Sequence, residues 1–105
     1  MIGLSVAPKL VGESRLEALD VSAALGPSDT LASATVTAAV YSGTDPTPSA
    51  LIGTVAVDSV YNLVNLQLNA GGLAGCIYQF VVTATLTSGY AKTFTFLLAV
   101  VPDAV

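Results

Sequence analysis

Apolar and polar positions alternate most clearly in the last third of the chain. Cys76, Tyr78, Phe80, Val82, Ala84 and Leu86 stand against Ile77, Gln79, Val81, Thr83, Thr85 and Thr87. A period of two is that of a β-strand whose even positions line one face, because successive side chains point to opposite sides of the pleat. Ser88-Gly89 then reads as a compact hairpin connection. Beyond it Tyr90, Phe94, Phe96, Leu98 and Val100 oppose Ala91, Thr93, Thr95, Leu97 and Ala99, until Pro102 ends the ladder. The two periods predict one buried face made of the even residues from Cys76 to Leu86 together with Phe94, Phe96 and Leu98.

Weaker alternation predicts further strands upstream. Ala34, Val36, Ala38 and Val40 alternate with Ser33, Thr35, Thr37 and Ala39, and Val64, Leu66 and Leu68 alternate with Asn65, Gln67 and Asn69. Leu51 to Val57 reads as one strand or as two broken at Gly53. Leu16, Ala18, Leu19 and Val21 interleave with Arg15, Glu17 and Asp20 in a short strand of open register. The breaks between strands are turn chemistry: Leu25-Gly26-Pro27-Ser28-Asp29, Ser42 to Ser49 with two prolines, and Gly71-Gly72-Leu73-Ala74-Gly75. Residues 1–13 carry Gly3, Pro8 and Gly12 without a sustained period and read as an extended arm, with an early edge strand as the alternative within it.

About seven short strands separated by turns predict an all-β protein, an immunoglobulin-like antiparallel β-sandwich; a small jelly roll or another Greek-key barrel is the alternative. The 105 residues suit a single domain, divided here into an N-terminal arm (1–13), a sandwich (14–102) and a short tail (103–105). With no tryptophan and one cysteine, the antibody-type disulfide and its tryptophan are missing. Tyr78, at the start of the penultimate strand, stands where a tyrosine corner would send its hydroxyl back to upstream backbone.

Charge narrows the function. Charged residues are 10% of the chain, and Lys9, Arg15 and Lys92 are the basic ones against seven carboxylates, for a net charge of −4. Three dispersed cations cannot neutralise a run of phosphates, so no direct nucleic-acid contact is expected. With no histidine, the usual general base and commonest neutral metal ligand are absent. Cys76 has no partner for a disulfide and is expected to be a small buried residue. The glycine-rich 71–75 segment lacks the Lys-Ser/Thr ending of a phosphate loop. Asp45 and Asp58 flank the central loop and are the only suggestion of a calcium site, without a dense ladder of acidic residues around them. The seven carboxylates sit near turns, which favours local hydrogen bonding over a paired catalytic geometry. No enzyme, catalytic residue, cofactor or metal is expected. The opening MIGLSVAPKLVGE lacks the pattern of a secretion signal, and the apolar run Phe96 to Val101 is far too short to span a bilayer, so no membrane association is expected.

From Ser59 to Ala91 the chain has no charged side chain. The outward set in that interval, Leu63, Asn65, Gln67, Ile77, Gln79, Val81 and Thr83, is expected to form an assembly surface, because a dry contact tolerates no fixed charge. Tyr41, Tyr61 and Tyr90 are the rings available for exposure.

The stretch from Lys9 to Tyr41, with Glu13, Leu19-Asp20-Val21, Leu25 and the alternating segment ending Val40-Tyr41-Ser42-Gly43, resembles small tailed-bacteriophage virion proteins that are free-standing immunoglobulin-like domains. Gly71-Gly72-Leu73-Ala74-Gly75-Cys76-Ile77-Tyr78 and Thr87-Ser88-Gly89 are similar to their last strands. The resemblance implies a non-enzymatic head-decoration, neck or fibre-associated structural protein. It would dock on capsid or connector proteins in symmetry-related, homo-oligomeric copies, with its arm over a neighbour, in a virion assembled in the host cytoplasm. An adhesion or carbohydrate-binding β-sandwich module is the alternative.

Overall fold

A computed structural model describes residues 2–3, 6–26 and 28–102, with side chains from residue 6 onward. The described residues form eight strands: β1 (Ile2–Gly3), β2 (Lys9–Leu10), β3 (Arg15–Asp20), β4 (Leu31–Ser42), β5 (Ile52–Asp58), β6 (Leu63–Leu68), β7 (Ile77–Leu86) and β8 (Ala91–Val101). They form two sheets. The larger runs β1-β8-β7-β4, with β2 also on β8, and the smaller runs β3-β6-β5. Pairing is antiparallel except for β1 and β2, which lie parallel to β8.

The alternation seen in the sequence is the alternation of burial. All the even residues from Cys76 to Leu86 are buried, as are Phe94, Phe96, Leu98 and Val100. Phe80 lies directly opposite Phe96 in the β7–β8 register, and their rings stack with centroids 4.8 Å apart and planes 8° from parallel. Such a pair adds to the burial of each ring and fixes the register of the two central strands. Val64, Leu66 and Leu68 of β6 close the core from the smaller sheet. Tyr90 does not belong to the buried set: it sits at the hairpin tip with its ring exposed.

The register that the sequence leaves open puts the odd residues of β3 inward, so that Leu19 is buried on the same side as two charged residues. Arg15 and Glu17 lie opposite the buried Leu68 and Leu66 and therefore face inward, whereas Leu16 is exposed. An edge strand permits this when something polar covers the opening, and residues 7–13 supply it. Arg15 Nη1 donates to Pro8 O at 3.0 Å and Nη2 donates to Ala7 O. Its Nε forms an ion pair with Glu17 Oε1 at 2.6 Å, and Nη1 lies 3.3 Å from Glu13 Oε1. Beside it Lys9 is fully buried, its ammonium donating to the carbonyls of Leu10 (2.8 Å), Val11 (3.2 Å) and Gly71 (3.0 Å). Where the amino-terminal segment is described, it is tied along its own domain. The tail at 103–105 lies outside the described residues.

The strands give the sandwich two ends. At one, here the corner end, the connections 43–51 and 69–76 meet the starts of β5 and β7; at the other, the hairpin end, lie 21–26, 28–30, 59–62 and 87–90.

Candidate functional site

The outer face of the larger sheet is built from odd-numbered residues of its three long strands. Cross-strand register places Thr35, Thr83 and Thr93 in one row, Thr37, Val81 and Thr95 in the next, and Ala39, Gln79 and Leu97 in a third. Opposed residues in antiparallel strands point to the same side, so each row is one line across the face. No charge occurs among the odd residues of β4, β7 and β8. Gln79 sits at the centre of the face, half-buried by its neighbours, and Leu97 is exposed beside it.

The smaller sheet presents Leu16, Ala18, Asp20, Leu63, Asn65, Gln67, Ala56 and Asp58 outward. This face is mixed, with two carboxylates at its hairpin end. The seven residues expected to share one surface therefore divide. Leu63, Asn65 and Gln67 are on β6, whereas Ile77, Gln79, Val81 and Thr83 are on β7 in the other sheet. Because the alternate residues of both strands meet in the common core, the two groups face away from each other on opposite sides of the sandwich. All seven are half-buried, since both strands are central in their sheets.

The polar side chains are largely engaged in holding connections. At the corner end the Tyr78 ring is fully buried and its hydroxyl donates to Asp45 Oδ2 at 2.7 Å while accepting the Leu73 N–H at 2.9 Å. This is the upstream backbone contact expected of a tyrosine corner, with a carboxylate added from the 43–51 connection. Burial and the Asp45 carboxylate raise the Tyr78 hydroxyl to about 12, and the hydroxyl in turn, with the Thr47 N–H, holds Asp45 below its ordinary value. Gly72 has a φ of +85°, and a Cβ there would come within 3.1 Å of Val100, so the turn that delivers Gly71 O to Lys9 requires glycine. Cys76 is buried with Sγ 3.7 Å from Thr44 O, and a Cβ at Gly43 would stand 2.6 Å from that sulfur. The glycine-rich segment and the cysteine are thus both occupied by packing.

At the hairpin end, Asp29 gathers Ser88 Oγ (2.6 Å), Ser88 N–H (3.2 Å), Thr87 Oγ1 (3.1 Å) and Thr30 N–H (3.1 Å). The Ser88 hydroxyl is the main reason its carboxyl lies below the ordinary range. Asp58 Oδ1 accepts the N–H groups of Val60 and Tyr61, and Asn62, at a φ of 56°, accepts Leu31 N–H on Oδ1 and Val21 N–H on its carbonyl. That turn holds Val60 and Tyr61 outward, 80% and 70% exposed, and Tyr90 beside the other loop is 73% exposed. Tyr41 is exposed as well, but near the corner end of β4. An open cleft of about 320 Å³ runs between Gly26, Asp29, Leu86, Tyr90, Ala91 and Lys92.

Asp45 and Asp58 stand at opposite ends of β5 and cannot share an ion. Among the described residues no three cysteine or carboxylate side chains gather as metal ligands, and no helix is long and apolar enough to cross a membrane. No family model and no curated protein matches the chain.

Proposed function

We propose that this chain is a non-enzymatic, immunoglobulin-like docking domain of a tailed-bacteriophage virion, held on capsid or connector proteins through the outer face of its larger sheet. The carrying observation is that face: three long strands present Thr, Ala, Val, Gln and Leu without one charge, on a chain whose net charge is −4. Burying it costs no desolvation of an ion. The strand order supports the immunoglobulin-like reading, since β4-β7-β8 opposite β3-β6-β5 corresponds to C-F-G opposite B-E-D, with the first strands alongside G. The engagement of Lys9 and Arg15 by backbone carbonyls further supports contacts made by shape over contacts made by charge.

Gln79→Glu tests the reading. Water solvates the new charge on a separate domain but must leave it at a dry contact. Thermal unfolding of the isolated protein should change little, while incorporation into its native particle falls; equal incorporation of both proteins would refute docking by this face. A carbohydrate-binding reading is favoured by one observation, the exposure of Tyr61 and Tyr90 at the same end. A saturable glycan titration abolished by Tyr90→Ala would replace docking with that function.

A further inference from the structure

A sandwich of two open sheets has four edges, and three of these are defended against pairing with another chain. β3 carries Arg15, Glu17 and Asp20. β5 is interrupted by a register shift between Ile52 and Val55 and ends in Asp58. The β8 side is covered by β1 and β2, two residues each. Charges, bulges and very short strands are the usual means of keeping an edge from being extended. The fourth edge, β4, has none of them along its length. Its twelve residues, LASATVTAAVYS, contain no charge, proline or glycine, and its register shifts fall only near the two ends. Among the described residues nothing pairs with it on the side away from β7.

The core is also unfinished along this edge. Ala34, Val36, Ala38 and Val40 point inward, in register with the fully buried Ala84, Val82, Phe80 and Tyr78, yet each remains half-buried. Val55 and Val57 of β5, the neighbouring edge of the opposite sheet, are half-buried too. An unpaired backbone edge thus runs beside an apolar seam, where added chain gains hydrogen bonds and apolar burial together.

We infer that the occupant is a second copy of this chain, paired antiparallel β4 to β4 so that the two larger sheets become one. The strand is complementary to itself. A two-fold axis normal to the sheet pairs residues of equal parity, which sets Val36 and Ala38 against their like on the inner side and Thr35, Thr37 and Ala39 against theirs on the outer side. Two chains of net charge −4 repel wherever carboxylates meet, and β4 itself carries none. Since each copy has one undefended edge, the pairing closes at two. The inference goes beyond docking by the face and leaves the combined outer face uncovered.

The test is the mass of the full chain in solution by sedimentation equilibrium at high micromolar concentration. Wild type should reach twice the 10.5 kDa monomer mass. Thr37→Lys places like charges across the two-fold at an exposed position, and should weaken association at least tenfold while the isolated fold melts as before. Thr35→Lys provides the same reading should the first variant fold poorly, and Gln79→Glu, on the face and away from the edge, should remain dimeric. A monomeric wild type, a dimer indifferent to both lysines, or growth beyond two copies would each overturn the inference. Loss of particle incorporation in Gln79→Glu with an intact dimer, or the reverse, keeps the two proposals distinguishable.

Discussion

The two ends of the sandwich use the same residue types to opposite effect. At the corner end a tyrosine is buried, its hydroxyl shared between Asp45 and the Leu73 amide, and a lysine is buried with its ammonium on three carbonyls. At the hairpin end two tyrosines and a valine stand in solvent on turns whose own backbone is held by Asp58, Asn62 and Asp29. Polar groups at the corner end are partners in the fold; at the hairpin end they stiffen a support for apolar groups that the fold does not use. Stability should therefore depend steeply on the corner end, and surface behaviour on the hairpin end.

Substitutions grade the contrast. Phe94→Ala removes a buried ring from the core common to both ends and should cost about 3–5 kcal/mol in urea unfolding, which sets the scale. Lys9→Met should follow, at about 1.5–3 kcal/mol, because three carbonyls lose a charged donor. Tyr78→Phe keeps the ring and removes the shared hydroxyl, for about 1–2 kcal/mol. Tyr61→Ala and Tyr90→Ala should stay within about 0.5 kcal/mol of wild type. If either cost as much as Tyr78→Phe, the hairpin end would be part of the core and the contrast would collapse.

Titration sharpens it further. The Tyr78 hydroxyl is raised to about 12, above its value near 10 in an unfolded chain, so its contribution is complete below about pH 10 and lost as pH climbs through 12. Tyr78→Phe should flatten the alkaline limb of a pH–stability curve measured by urea midpoints. Asp45 at the corner end and Asp29 at the hairpin end are both lowered, so each contributes above the ordinary carboxyl range near 3.9 and loses that contribution as pH falls below it. Asp45→Asn and Asp29→Asn should each reduce the acid-side slope by a similar small amount, measured by urea midpoints between pH 2 and 6.

What could be read from the sequence follows from what a period can encode. Alternation fixes which side of a strand a residue is on, so the buried sets of β6, β7 and β8 were legible, and the corner tyrosine with them. It carries no information about which sheet a strand joins. For that reason Gln67 and Gln79, one outward set in the sequence, lie on opposite sides of the protein. The register of β3 stayed open for a related reason: on an edge strand the inward side need not be apolar, and Arg15 faces inward because the chain at Ala7 and Pro8 returns to meet it. Lys9 gave no local sign of burial, since the turn carbonyl it reaches is contributed by Gly71, far along the chain.

The parallel alignment of β1 and β2 with β8 has a mechanical consequence. Ile2–Gly3 pair with Phe94–Thr95 and Lys9–Leu10 with Val100–Val101, so the first and last strands run the same way side by side. Tension drawing the two segments apart along the strand axis would load these ladders in shear, stretching their hydrogen bonds together instead of opening them one after another. The buried Lys9 ammonium lies within that joint, and its bond to Gly71 O ties the first segment to the connection before β7 as well. The domain would then resist a pull along its length better than a peel across it, a directional strength that melting temperatures do not report.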